Sequence, residues 1–240
     1  MAKSTIFFAC LAIVFAGTTV AVSWRLIAGK GTPAPQVEGV NIALGLPTGQ
    51  AGLLSEGGGE TEGLFRAGSA LVWNTETDAI QFEQNGFERR PIASITKLVT
   101  AMVALDHGIP WEEAATIELE EYVQGGRLLL HPGETVSVRD LFHASLVASA
   151  NNATLAYVRA LKISEEEFVR EMNRKAVSLG LEQTEFTDVT GLDVGNISTA
   201  YEVARLAEAA FTYPEIAAAS SLKEYTMHVG GSGREHTIRN

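Results

Sequence analysis

With 240 residues, the chain can hold one sizeable domain and a short extra segment. Its 46% hydrophobic content supports a packed core, while a net charge of -11 argues against a nucleic-acid partner, because an acidic surface repels phosphate backbones. The single cysteine, Cys10, excludes an intramolecular disulfide and any cysteine-based zinc site.

In chain order, Lys3 precedes an uncharged run from Ile6 to Val22, so residues 1–27 read as a signal peptide or an N-terminal membrane anchor. Trp24 and Arg25 suit a membrane–water interface, and Cys10 reads as a membrane-buried residue rather than a lipid attachment point. The body is therefore expected outside the cytoplasm. Residues 28–64 carry Pro33, Pro35, Pro47 and Gly57-Gly58-Gly59 without sustained periodicity, and read as a flexible linker. A folded domain is expected over 65–240.

Two short strand candidates, Ser69–Trp73 and Ala79–Glu83, flank a turn-like Asn74–Asp78 and predict a β-hairpin. Pro91 precedes a helix predicted from about Ser94 to His107, with Ile95, Leu98, Val99, Met102 and Leu105 on one apolar face and Gly108 and Pro110 as stop signals. Residues 116–130 are irregular, with short strands possible. Ser137 with Asp140 opens a second helix through about Ala148, and a third runs from about Asn152 to Ala160. Ser164 with Glu167 reads as a full capping box for a helix ending at Leu179-Gly180. Ser198 or Thr199 caps a further helix that ends before Pro214, and Tyr225–Val229 has strand character. A hairpin, a block of helices and a returning strand signal predict an α+β domain.

The chemistry lies in Ser94-Ile95-Thr96-Lys97. On a helix, serine and lysine three residues apart share a face, so the amine can reach the hydroxyl without long-range folding to place it. Serine needs such a base to become a nucleophile, and lysine serves as one once its pKa falls through burial or the positive end of a helix dipole. A bare Ser-x-x-Lys is a loose pattern, and Ser220-Ser221-Leu222-Lys223 is a second match. Context separates them: Ser94 starts a helix after a hairpin, with an apolar face behind it, whereas Ser220 follows an alanine run. Ser149-Ala150-Asn151, at a predicted break between two helices, can supply another hydroxyl and an amide to the same cleft. No His-Glu-x-x-His or short His-x-His spacing links His107, His131, His143, His228 and His236, so no metal is expected. Gly230-Gly231-Ser232-Gly233-Arg234 reads as a turn.

Arg89–Ala101, with Pro132-Gly133-Glu134, Ser149–Ala153, Thr190–Asp193, Ser198–Ala200 and His236–Asn240, resembles the D-alanyl-D-alanine carboxypeptidases in the right order across roughly 65–240. These are the low-molecular-weight penicillin-binding proteins of serine peptidase type. The resemblance implies the penicillin-binding-protein/β-lactamase-like fold, a helical block against an antiparallel sheet. It implies no cofactor, a location in the cell envelope and, as substrate, a peptidoglycan stem peptide ending in D-Ala-D-Ala, with β-lactams as inhibitors. It also implies roles: Ser94 as nucleophile and acyl carrier, Lys97 as general base, Ser149 as proton relay, and Asn151 orienting Lys97 and the substrate. One oxyanion donor would be the Ser94 N–H, and the other belongs to a Lys-Thr-Gly strand that these 240 residues do not contain. The sheet's C-terminal strands and this third motif are thus expected beyond Asn240, which makes a truncated sequence of reduced or lost activity the expectation. Asn152 stands where the family often has Asp. The alternatives are a non-catalytic wall-peptide-binding or scaffold protein and a serine β-lactamase, although no Glu-x-x-x-Asn segment follows Asn152 to serve the latter.

Overall fold

A computed structural model describes residues 67–240, so the expected signal or anchor, the linker and Cys10 lie outside the described residues. The described residues divide between two compact units, with the boundary between Gly86 and Phe87. In the first, strands β1 (Ala70–Asn74) and β2 (Ala79–Gln84) pair antiparallel as the expected hairpin, with an irregularity between Val72 and Trp73. Asn74 Oδ1 accepts the Glu76 and Thr77 N–H groups, which closes the turn.

The second unit opens with the two-residue strand β3 (Arg90–Pro91) and a 3-10 turn over Ala93–Ile95 that runs into helix α1 (Thr96–Asp106). The sequence pattern predicts one apolar face for α1, but the helix is buried almost all round. Val99, Ala101, Met102, Val103 and Ala104 are at most 3% exposed, and Thr96, Lys97 and Thr100 are buried with them. The reason is its neighbours: α1 packs against all five later helices, and a helix enclosed on every side loses its solvent face.

Those helices are α2 (Val138–Val147), α3 (Asn151–Ala160), α4 (Glu165–Ser178), α5 (Ala200–Ala210) and α6 (Pro214–Ser220). Ser137 and Asp140 form the expected reciprocal capping box at α2. At α4 only half of the expected box exists. Ser164 accepts the Glu167 N–H, but the Glu167 carboxylate turns instead to Arg170 and Arg174. Thr199 caps α5 by accepting the Glu202 N–H, while Ser198 shares a hydrogen bond with Thr184. Helix α6 was not expected; Pro214 stands at its start, where a missing N–H costs nothing.

Among the described residues the strands form four separate antiparallel pairs. Strands β4 (Ala114–Ala115) and β5 (Val136–Ser137) pair just before α2, and β3 pairs with β6 (Ile197–Ser198). The expected strand near Tyr225 is β7 (Glu224–Val229), which pairs with β8 (Arg234–Arg239) through the Gly230–Gly233 turn. That turn is fixed to the loop before β5: Thr135 and Gly230 exchange backbone hydrogen bonds, and the buried Glu134 accepts from Ser232 and Arg234. Residues 116–130 contain a 3-10 turn at Leu119–Glu121 and no strand. No described helix is long and apolar enough to cross a membrane.

Candidate active site

Ser94 sits on the 3-10 turn rather than within α1 and is exposed, whereas Lys97 lies in the first turn of α1 with 2% of its surface accessible. The residue before the serine, Ala93, has φ +47, a left-handed conformation that costs an alanine roughly 1–2 kcal/mol. Opposite it lies Gly191, φ +87, whose position has no room for a side chain. A Cβ there would fall 1.9 Å from the Ala93 carbonyl oxygen and 3.0 Å from the Ser94 nitrogen. The serine-bearing turn is thus seated directly on a glycine.

Lys97 Nζ lies 3.0 Å from Ser94 Oγ, 2.6 Å from Asn151 Oδ1 and 2.8 Å from the Thr190 carbonyl oxygen. Three acceptors match the three hydrogens of an ammonium group. When the amine is neutral, Asn151 and Thr190 still take two hydrogens and the lone pair is left facing the serine. Burial lowers the Lys97 pKa to about 8, against the opposing pull of Asp188. A base in that range keeps an appreciable neutral fraction near neutral pH while remaining strong enough to take a serine proton.

Asn151 opens α3 and is 4% exposed. Its orientation is fixed from both sides, since Oδ1 accepts from Lys97 and Nδ2 donates to the Gln124 carbonyl at 2.8 Å. Its backbone N–H donates to the Gly126 carbonyl at 2.7 Å. Gly125 and Gly126 permit this approach, as a Cβ on the first would lie 2.7 Å from Asn151 Nδ2 and on the second 2.6 Å from the Ser149 carbonyl oxygen. Ser149 is half-buried with φ +52, and its hydroxyl makes no hydrogen bond among the described residues. Hydrogen bonds therefore join Ser94, Lys97 and Asn151, while Ser149 stands two residues away on the connection between α2 and α3.

Asn152 belongs to the frame and not to the centre. Fully buried, it accepts from the Leu128 N–H and donates to the Leu128 carbonyl, both at 2.8 Å, as a neighbouring strand would. An amide can serve both groups, and this accounts for Asn at that position. The second Ser-x-x-Lys does not form a site: Ser220 ends α6, and Lys223 lies exposed beyond it.

The 188–196 turn belongs to the site although only Thr190–Asp193, as part of the resemblance, marks it in the sequence. The turn supplies Lys97 with its third acceptor and gives the Ser94 turn its glycine seat. Asp188 holds it by accepting the N–H groups of Thr190, Gly191, Leu192 and Asp193 and the Thr190 hydroxyl. Burial pushes the Asp188 carboxyl up, but these hydrogen bonds outweigh it and leave the group below its ordinary value. Asn196, fully buried, bridges the turn to α1 by donating to Thr96 Oγ1 and to Asp188. The signal was an Asp three residues before a Gly, a turn-forming spacing.

A serine hydroxyl held by a buried lysine at the head of a central helix, in an α+β frame, is the arrangement of a serine acyl-transfer site. The family model for D-alanyl-D-alanine carboxypeptidases (peptidase family S11) matches residues 59–240, and the chain belongs to that family. It is 36% identical over 163 residues to a D-alanyl-D-alanine endopeptidase of Pseudomonas aeruginosa, covering 67% of this chain and 53% of the relative. It is 35% identical over 156 residues to the D-alanyl-D-alanine carboxypeptidase DacF of Bacillus subtilis, covering 62% and 40%. The chain thus spans about half the length, or less, of these curated relatives. Among solved structures it resembles penicillin-binding protein D2 of Listeria monocytogenes in its ampicillin-bound form, with 30% identity, a TM-score of 0.60 and 70% of each chain covered. The fold is the α+β fold of the penicillin-binding DD-peptidases.

Proposed function

We propose that this chain is a serine-type D-Ala-D-Ala carboxypeptidase acting on peptidoglycan stem peptides through an acyl-enzyme on Ser94. The observation that carries the reading is Lys97, an almost fully buried amine 3.0 Å from Ser94 Oγ whose other two hydrogens are taken by Asn151 and Thr190. With Lys97 neutral, its lone pair accepts the serine proton as Oγ attacks the carbonyl carbon of the terminal D-Ala-D-Ala bond. The Ser94 N–H, at the head of the 3-10 turn, donates to the developing oxyanion. Collapse of the tetrahedral intermediate breaks the C–N bond, and the proton passes from Lys97 by way of the Ser149 hydroxyl to the departing D-alanine nitrogen. Water then attacks the Ser94 ester, Lys97 again serving as base, and frees the shortened peptide. A β-lactam enters by the same first step and leaves Ser94 acylated. Asn151 keeps the amine pointed at the serine and has a second Nδ2 hydrogen for a substrate carbonyl.

The reading extends to organisation: residues 1–27 as a signal or membrane anchor, 28–64 as a spacer, and the peptidase region over 65–240 in the cell envelope. The test is acylation of the full chain by a fluorescent penicillin, with the adduct mapped by mass spectrometry. Labelling at Ser94 that vanishes in Ser94→Ala is the expected result, with D-alanine release from a stem pentapeptide slowed about a hundredfold or more where the Lys-Thr-Gly oxyanion donor is lacking. Wild-type protein that stays unlabelled through prolonged exposure, or labelling that persists in Ser94→Ala, overturns the reading. The 36% identity to a relative named as an endopeptidase favours crosslink cleavage as a second reading of the same acyl-enzyme chemistry. The product separates the two: free D-alanine from a pentapeptide for one, monomers from a crosslinked muropeptide dimer for the other.

A further inference from the structure

Asp188 touches neither Ser94 nor Lys97, yet both depend on what it holds. Its two oxygens gather the consecutive N–H groups of Thr190, Gly191, Leu192 and Asp193, at 2.7–3.2 Å. They also take the Thr190 hydroxyl at 2.9 Å. A chain wound this tightly around one carboxylate has little freedom. At Thr190 it presents a carbonyl to Lys97 at 2.8 Å, and at the next residue it lays a bare glycine against the Ala93–Ser94 peptide. One side chain therefore sets the base and the nucleophile-bearing turn together.

We propose that Asp188 is a positioning residue for acyl transfer: it fixes the Thr190 carbonyl on Lys97 and the Gly191 seat under Ser94. This rests on the acyl-transfer reading of Ser94 and Lys97. The amine's three hydrogen-bond partners are uncharged: the Ser94 hydroxyl from the preceding turn, the Asn151 amide from α3 and the Thr190 carbonyl from the loop. From α4, Glu165 faces Asp188, whose charge adds to burial in raising the Glu165 pKa. Asp188 is thus the anion that Lys97 feels directly, and it favours the ammonium that burial disfavours.

Two readouts separate this role from a purely structural one. With lysine labelled at 13Cε and the Lys97 signal assigned by its loss in Lys97→Met, the titration midpoint of Lys97 falls in Asp188→Asn. Acylation by the fluorescent penicillin drops tenfold or more on its high-pH plateau, and its acid limb moves to lower pH. A merely structural aspartate would lower the rate equally at every pH and leave the Lys97 midpoint in place, and that result overturns the proposal. Should Asp188→Asn fail to fold, the coupling is read from the other side, since it must be reciprocal. In Lys97→Met, the Asp188 carboxyl, followed by 13C labelling, titrates at higher pH than in the wild type, and an unchanged midpoint overturns the proposal. The lysine and aspartate titrations need no catalysis. A chain that penicillin does not label but whose Lys97 and Asp188 titrate together defeats the acyl-transfer reading alone, and a labelled chain without that coupling defeats this inference alone.

Discussion

Gly191 lies against Ala93 so closely that a Cβ on the glycine would sit 1.9 Å from the alanine's carbonyl oxygen. Both residues are left-handed, with φ +87 and +47. Gly191→Ala therefore meets a backbone atom, not a flexible side chain, and meets it in a conformation already unfavourable for alanine. The Ser94 turn has to shift, and displacements near 1 Å at a reacting group cost about a hundredfold. The expected outcome is an acylation rate at least a hundredfold lower, with the Tm reduced by a few degrees. Stopped-flow labelling and thermal melts of the same preparation check both.

The depressed Lys97 pKa fixes a direction for pH dependence. Below about 8 the amine is mostly ammonium, so the acylation rate should rise about tenfold per pH unit and level off above about 8. Stability moves the same way. The folded-state value lies below the unfolded value of about 10.4, so the unfolded chain binds more protons between the two and folding is favoured as pH rises through that window. The burden of the buried ammonium, on the order of 3 kcal/mol, is thus present below about pH 8 and relieved towards about pH 10. Lys97→Met should flatten that part of the stability curve, measured by urea unfolding at each pH.

Asn151 separates positioning from charge. Asn151→Ala removes an acceptor at 2.6 Å from the Lys97 amine, a hydrogen bond to a charged group worth roughly 1.5–3 kcal/mol, so acylation should fall by one to two orders of magnitude. Asn151→Asp keeps an acceptor but sets a carboxylate beside the amine and loses the donor to the Gln124 carbonyl. The added anion stabilises the ammonium, and the acid limb of the acylation profile should move to higher pH. An unmoved limb in Asn151→Asp would show that Lys97 is not the titrating base.

Much of this architecture is local and was legible for that reason. The Ser94–Lys97 spacing, the β1–β2 hairpin and the α2 capping box lie within a few residues of sequence, where periodicity and cap chemistry speak. Asn151 was legible as the end of a tripeptide at a helix break. What the pattern could not convey was contact through backbone. The Thr190 carbonyl has no side-chain signature, and the left-handed Ala93 and Ser149 carry none of the glycine or asparagine that usually marks such positions. The pairing of Arg90–Pro91 with Ile197–Ser198 is two residues long and joins segments distant in sequence, so no local rule finds it. The apolar face read for α1 reflected the same gap, because the helices that enclose it come later in the chain. At α4 the box was half formed because Arg170 and Arg174 compete for the Glu167 carboxylate, a rivalry the Ser-x-x-Glu pattern does not contain.

Asn152 offers a test of the frame apart from the chemistry. Its amide replaces a strand for Leu128, satisfying the N–H and the carbonyl of a residue that is itself 1% exposed. In Asn152→Ala both backbone groups lose their partner in a site closed to solvent, at about 1–3 kcal/mol each when nothing replaces it. The loss should appear as a Tm lower by several degrees and as faster amide exchange at Leu128. Because Leu128 and the Gly125–Gly126 contact to Asn151 lie on one short segment, the loosening reaches the site through Asn151 rather than Lys97. Acylation of Asn152→Ala at low temperature should therefore keep the wild-type pH midpoint while its rate declines. A shifted midpoint would mean that Asn152 acts on the lysine directly, contrary to its hydrogen bonds.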